Sequence, residues 1–158
     1  MPLPTSSTPS SRAQARQAVL ADLDPLSVLF DEYRQFQGRA SDVAAGRSFL
    51  LERFNHGESV LFIAHDANVP VGFAQLYPSF SSVSLSRVFV LNDLYVRPAA
   101  RRGGAASALI AALEQYAWSF GASRVTLNVA RDNTNAQALY RARGWREDEQ
   151  FYMFHRYP

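Results

Sequence analysis

The chain predicts an α+β fold in which a sheet carries helices on both faces. Three observations point there. Apolar residues recur at helical spacing in some segments and alternate in others. The elements follow the order strand, two helices, three strands, helix, strand, helix, terminal strands. In the middle, a strand feeds a small basic turn that opens a helix. The length of 158 residues and 47% hydrophobic content suit one domain with a proper core.

Residues 1–14, rich in Pro and Ser, read as a disordered tail, leaving 15–158 as a single domain. Residues 15–19 form the expected first strand. Asp24 and Pro25 supply an N-cap and a first-turn proline for a helix whose stripe is Leu26, Leu29, Phe30, Tyr33 and Phe36, stopped at Gly38. A second helix spans residues 41–55 with Val43, Leu50, Leu51 and Phe54 inward, and Gly46 weakens it. Strands follow over 59–65 and 69–77, joined by a turn at Asp66, Ala67 and Asn68. Pro78 and the serines of 79–86 make a further turn or a strand edge. Residues 88–96 are a strand, 105–120 a helix with Leu109, Leu113, Tyr116 and Phe120 in register, and 124–129 a strand. Residues 135–143 form a short helix ended by Gly144, and 145–157 supply one or two terminal strands.

The turn between the strand over 88–96 and the helix over 105–120 is built to hold phosphate. First-turn N–H groups lack intrahelical partners and point at whatever anion sits there. Gly103, Gly104, Ala105 and Ala106 keep side chains clear of the backbone, and Arg101 and Arg102 add charge. The plain alternative is an ordinary strand-to-helix turn with a solvated Arg pair. A dinucleotide fingerprint and a P-loop both fit badly, since there is no G-x-G-x-x-G and no lysine in the chain.

Arg101-x-x-Gly104-x-Ala106, preceded by Pro98, resembles the acyl-CoA pyrophosphate loop of the GNAT superfamily of N-acetyltransferases. Asn133-x-x-Ala136-x-x-Leu139-Tyr140-x-x-x-Gly144-Trp145 resembles that superfamily's later motif, in the expected order and at the expected distance. The likeness is strong from residue 88 onward and holds earlier only as element order. It implies a mixed, mostly antiparallel sheet of six to seven strands with a splayed parallel pair, the strands over 88–96 and 124–129. It implies acetyl-CoA as co-substrate, no metal, and residues 15–158 as the acetyltransferase domain. The cofactor-binding residues it implies are Leu94, Tyr95 and Val96 along the splay, Arg101, Arg102, Gly103, Gly104, Ala105 and Ala106 in the turn, and Asn133.

Transfer of an acetyl group to an amine needs a neutral amine, a polarised carbonyl, a proton for the departing thiolate, and two reactants held together. Tyr140 stands where the family's acid tyrosine stands; its plain alternative is a core aromatic. Residues 92–96 resemble the polyamine-acetylating branch, with Asp93 retained and Asn92 standing where that branch has Glu; an amide cannot accept a proton at neutral pH, so the base does not carry over at that position. Alternation puts Leu91, Asp93 and Tyr95 on one face and Asn92 and Leu94 on the other. Asp93 can attract an ammonium or pass its proton through water, or it is a structural carboxylate. Tyr33 and Phe36, with Glu32 nearby, are candidates for the acceptor wall or for the core. His155 is a base by residue type alone.

Composition narrows the rest. The chain has no cysteine, which excludes disulfides, thiolate metal sites and a cysteine nucleophile. His56, His65 and His155 show no metal-ligand spacing. No apolar run approaches the ~20 residues of a membrane span, and no basic-then-apolar leader is present, so a cytoplasmic enzyme is expected. The net charge is +2 and all sixteen basic residues are arginine, a bias that a GC-rich bacterial genome produces. The candidate partners are a small-molecule amine and a second copy of the chain as a homodimer, with no nucleic acid and no membrane. The leading reading is an N-acetyltransferase acting on a polyamine, amino acid or aminoglycoside-like amine. A protein amine as acceptor and a non-catalytic acyl-CoA-binding regulator stay open, and a nucleic-acid module using Arg101, Arg102, Arg141 and Arg143 lacks a dense basic patch.

Overall fold

A two-residue turn with left-handed backbone at Ala67 (φ 47°) and Asn68 (φ 66°) folds β2 (Val60–Asp66) onto β3 (Val69–Ser81). The computed structural model that shows this describes residues 12–158. The tail expected over 1–14 lies outside the described residues as far as residue 11, and Gln14 already pairs with His65. The chain divides into two units, one ending at Leu127 and one beginning at Asn128.

In the first unit, β1 (Gln14–Gln17), β2, β3 and β4 (Ser86–Val96) are antiparallel neighbours, and β5 (Arg124–Leu127) lies parallel to β4, in the order β1-β2-β3-β4-β5. β3 runs past Pro78 to Ser81, the strand alternative of the two expected for residues 78–86. Proline is tolerated there because β2 stops pairing with β3 at Leu76, so Pro78 has no strand on that side asking for an N–H.

α1 (Leu23–Phe36) and α2 (Val43–His56) cover one face. The N-cap of α1 lies two residues before the one expected: Asp22 occupies it, holds Arg16 through two bonds of 2.7 and 2.8 Å, and accepts from the Val19 N–H at 2.8 Å. Asp42 caps α2 by accepting from the Ala45 N–H at 3.0 Å. Gly46, expected to weaken α2, is what lets the two helices approach, since a Cβ there would lie 3.2 Å from Phe30 Cδ1. Leu50 is fully buried as expected, whereas Val43, the first residue of α2, is 41% exposed.

α3 (Ala105–Ser119) covers the opposite face, with Leu109, Ile110 and Leu113 fully buried and Tyr116 packed edge-on against Phe62 and Phe89. Phe120 falls outside the helix as its C-cap residue and is half exposed.

The second unit contains α4 (Thr134–Ala142), capped by Asn133 and terminated at Gly144 (φ 87°). Gln137 Nε2 donates to the carbonyls of Ala130 (2.9 Å) and Arg131 (3.1 Å), pinning the approach to the helix. The described residues contain five strands, against the six or seven expected, because residues 145–157 find no ladder partner. Phe151, Tyr152, Met153, Phe154 and Tyr157 in that run are exposed.

Candidate active site

The β4–α3 turn is made of backbone. A 3-10 turn at Pro98–Ala100 carries the chain out of β4, then Arg102 (φ 69°) and Gly104 (φ 84°) take left-handed conformations and Gly104 becomes the N-cap of α3. Left-handed backbone costs arginine about 1–2 kcal/mol that glycine does not incur. The first helical bond runs from the Ala108 N–H to the Gly104 carbonyl at 2.9 Å. The amides of Ala105, Ala106 and Ser107 therefore have no acceptor among the described residues, and no side chain caps them. A row of free N–H groups at the positive end of a 15-residue helix, walled by glycine and alanine, fits a pyrophosphate. Gly103 belongs to the cradle through its N–H bond to Ala100 at 3.4 Å.

Arg101 is committed locally. Its Nε donates to the Val96 carbonyl at 3.3 Å and its guanidinium lies 5.6 Å from the centre of the Phe36 ring. The structure thus separates two residues that had been grouped as an acceptor wall: Phe36, 66% exposed, lies at the turn, while Tyr33 packs in the core with Phe73 and Tyr95 and bonds to Asp93.

β4 changes face midway. Gln75 pairs with Asp93 but Leu76 pairs with Leu91, so Asn92 is an extra residue, a β-bulge. Phe89, two residues before Leu91, packs on Tyr116 of α3, whereas Tyr95 belongs to the core under α1 and α2. The expectation that Leu91, Asp93 and Tyr95 share one face is therefore corrected: the bulge turns Asp93 and Tyr95 towards α1 and leaves Leu91 behind. A bulge also leaves its extra residue outside the regular ladder, which re-aims a backbone amide.

Asp93 is 5% exposed. Its carboxylate accepts from Gln75 Nε2 at 2.6 Å, from Asn92 Nδ2 at 3.1 Å and from Tyr33. Burial nonetheless outweighs these bonds and raises its pKa above the usual carboxylate value. Beside it, burial and the Asp93 charge push the Tyr77 phenol up to about 12. Gln75 is fully buried. Sequence reasoning missed it, although a lone amide inside the apolar run Phe73-Ala74-Gln75-Leu76 is the signal that finds it.

Pairing of β4 with β5 ends at Leu91 and Leu127, and β4 continues over residues 92–96 with no strand partner on that side among the described residues. Leu94, Tyr95 and Val96 lie on this overhang. Its end is clamped to α1: Arg97 grips the Glu32 carboxylate through Nε (2.9 Å) and Nη2 (2.8 Å) and donates through Nη1 to the Pro70 carbonyl at 3.0 Å. The Tyr95 hydroxyl donates to Glu32 at 3.3 Å, so Glu32 faces this clamp.

In the second unit, Tyr140 packs against Trp145 with ring centres 5.5 Å apart, and burial raises the phenol's pKa, so it holds its proton at neutral pH. The Asn133 side chain accepts from the Ala136 N–H at 3.2 Å, capping the helix that carries Tyr140. His155 is exposed and lies outside any strand.

Residues 26–145 match the profile of the Acetyltransferase (GNAT) family. The chain is 43% identical to an uncharacterized N-acetyltransferase, YhfO, of Bacillus subtilis (strain 168), over 86% of this chain and 91% of that protein. A crystal structure of a probable acetyltransferase superimposes with a TM-score of 0.87 at 40% identity, covering 92% of this chain and 97% of the other. An aminoglycoside N(6')-acetyltransferase type 1 of Acinetobacter haemolyticus is 36% identical over 44% of this chain and 48% of its own length.

Proposed function

This chain belongs to the acetyltransferase (GNAT) family and is an acetyl-CoA-dependent N-acetyltransferase, and on that premise we propose that its acceptor is a primary amine on a small cationic molecule. The observation that carries the reading is Asp93, a buried carboxylate of raised pKa set by a bulge beside the open edge of β4. A base whose pKa lies nearer the working pH takes a proton more effectively. Its negative charge also favours an amine that retains a second positive charge. Polyamines, amino acids and aminoglycoside-like compounds fit this description, and a likeness to aminoglycoside acetyltransferases supports the same class.

Acetyl-CoA supplies the acetyl group as a thioester. In this reading the free amides of Ala105, Ala106 and Ser107, with Arg102, Gly103 and Gly104, hold the pyrophosphate, and Arg101 keeps the turn in place. Along the overhang the backbone N–H groups of Leu94 and Val96 face the open edge, while that of Tyr95 between them faces β3, and the two free groups polarise a carbonyl presented there. Asp93 accepts the ammonium proton, directly or through water. Tyr140 keeps its proton at Oη and delivers it to the leaving group, with Asn133 holding α4 in shape. Residues 15–158 act as one catalytic domain.

The test is thiol release from acetyl-CoA against a panel of polyamines, amino acids and aminoglycosides. Amine-dependent release, steepest with di- and polycationic acceptors, is the expected result. Tight acetyl-CoA binding with no release for any amine would return the protein to a non-catalytic acyl-CoA-binding role. Tyr140→Phe keeps the ring against Trp145 and removes only the hydroxyl, so kcat should fall about 10²-fold while acetyl-CoA affinity changes little.

A further inference from the structure

One buried atom near Asp93 has no role in the reaction as described. Gln75 is 0% exposed, its Nε2 donates to Asp93 Oδ2 at 2.6 Å, and its Oε1 is buried with no hydrogen-bond partner. An unmet amide oxygen away from water is unfavourable. Solvent and substrate cannot reach an atom so enclosed. The neighbouring group that gains a hydrogen during amine acetylation is Asp93 itself. The terminal torsion of a glutamine side chain is soft and roughly two-fold, so a half-turn exchanges Nε2 and Oε1 in place.

We propose that Gln75 is a positioning residue that turns its amide to follow the proton on Asp93. This rests on the reading of Asp93 as the proton acceptor. With Asp93 ionised, Gln75 donates from Nε2, as in the structure. When the acceptor ammonium gives its proton to Oδ2, the pair R–NH3+ and carboxylate becomes R–NH2 and carboxylic acid. The new Oδ2–H needs an acceptor, and the rotated amide offers Oε1. When product leaves, the proton passes to water and the amide turns back. Each state thus keeps one Gln75–Asp93 hydrogen bond, so the carboxyl group is not locked in either form.

The other groups facing this pair are Tyr33 from α1, Asn92 on β4, and Tyr77 on β3, which Arg53 of α2 also influences. Tyr33 and Asn92 donate to the carboxylate in the structure, and Gln75 is the partner whose own acceptor, Oε1, is buried without a hydrogen bond.

The experiment is an NMR titration of the full chain without substrate, reading the Asp93 side-chain carboxyl carbon and the Gln75 side-chain amide between pH 4 and 8. The expected result is a common midpoint, with the hydrogen-bonded amide proton signal lost as Asp93 is protonated. In Gln75→Met both protonation states lose one bond, the charged one the stronger, so the Asp93 midpoint should rise by less than about one pH unit, while kcat falls about tenfold at unchanged KM for acetyl-CoA. A Gln75 that only donates to the carboxylate predicts a larger rise, about one to two pH units, since only the charged form loses a bond. That rise, or a Gln75 signal indifferent to Asp93, overturns the proposal. The wild-type titration needs no variant and decides the matter even if Gln75→Met does not fold. Full turnover by Asp93→Asn overturns the parent reading, whereas uncoupled signals in a protein that Asp93→Asn inactivates overturn the Gln75 assignment alone.

Discussion

Asp31 and Asp93 are buried to nearly the same degree, 3% and 5% exposed, and each accepts three hydrogen bonds, yet their pKa values move in opposite directions. Asp31 ties α1 to the start of α2. It accepts from the Ser41 hydroxyl (2.7 Å), the Asp42 N–H (2.7 Å) and Gln35 Nε2 (2.9 Å), and these bonds, led by Ser41, hold it below the usual carboxylate range. Asp93 stands on the sheet beneath α1, where loss of hydration outweighs Gln75, Tyr33 and Asn92. Bonds to a charged group contribute about 1.5–3 kcal/mol each, and burying an ion costs several kcal/mol, so the balance turns on depth. Donor count and surface exposure do not separate the two. A carboxylate near the loop side of a helix pair is a structural tie; one sunk between strand and helix is held closer to its protonated form.

The largest expected effect separates their roles in turnover. Asp93→Asn should lower kcat/KM by about 10²–10⁴-fold. Its melting temperature should stay level or rise, because a neutral amide replaces a buried charge. Activity retained in that variant would make the two aspartates equivalent.

Next in size, Asp31→Ala leaves Ser41, Gln35 and the Asp42 amide without their acceptor. Urea unfolding should show a loss of about 1–3 kcal/mol, with kcat/KM of the folded enzyme within about twofold of wild type. A large kinetic defect at unchanged stability would move Asp31 into the catalytic group.

The pH dependence of stability should also differ in sign. Asp31 and Asp22 have lowered folded-state pKa values, so their contribution is present above the unfolded value near 3.9 and is lost as pH falls through the folded values. Asp93 has a raised folded value, so between about 3.9 and that value the native state binds the extra proton and stability falls as pH rises. Melting curves of wild type and Asp93→Asn from pH 3 to 8 should therefore diverge upward through that window, the variant gaining. Parallel curves would mean that Asp93 is no more buried in energetic terms than Asp31.

The smallest effect sharpens the comparison. Tyr33→Phe removes one donor from the Asp93 carboxylate and should shift the acidic limb of the kcat/KM profile upward by about one pH unit, at nearly unchanged maximal rate. A limb that stays in place would show that Tyr33 serves packing with Phe73 and Tyr95 alone.

The β4–α3 turn was legible in part because it is contiguous and built from backbone: Gly104 announces the left-handed N-cap, and free first-turn amides follow from any helix start. The other left-handed residue is Arg102, whose side chain gives no sign of it. The Asp93 cluster was legible only in part. A single extra residue at Asn92 inverts the faces downstream, and nothing in the spacing of residues 88–96 marks a bulge. Gln75 was visible as a polar residue in an apolar strand but meets Asp93 only through that shifted register. Phe36 looked equivalent to Tyr33 by helical spacing, yet it lies at the last residue of α1, where Arg101 covers it. The terminal strands were overread because alternation shows only that a segment can pair, and residues 145–157 join no ladder among the described residues.

The overhang of β4 has a mechanical consequence. A strand hydrogen-bonded along one edge alone is a cantilever, free to flex where β5 has stopped supporting it. The Arg97–Glu32 clamp pins its tip to α1, and Arg101 binds the carbonyl of Val96 at the same end. The beam is thus held at its root by β5 and at its tip by two arginines, while among the described residues no strand lies along the edge between. The backbone along that edge gains stiffness from side chains at the tip, and the outward N–H groups of Leu94 and Val96 stay unspent. Mutations in α1 that loosen Glu32 would soften a surface they never touch.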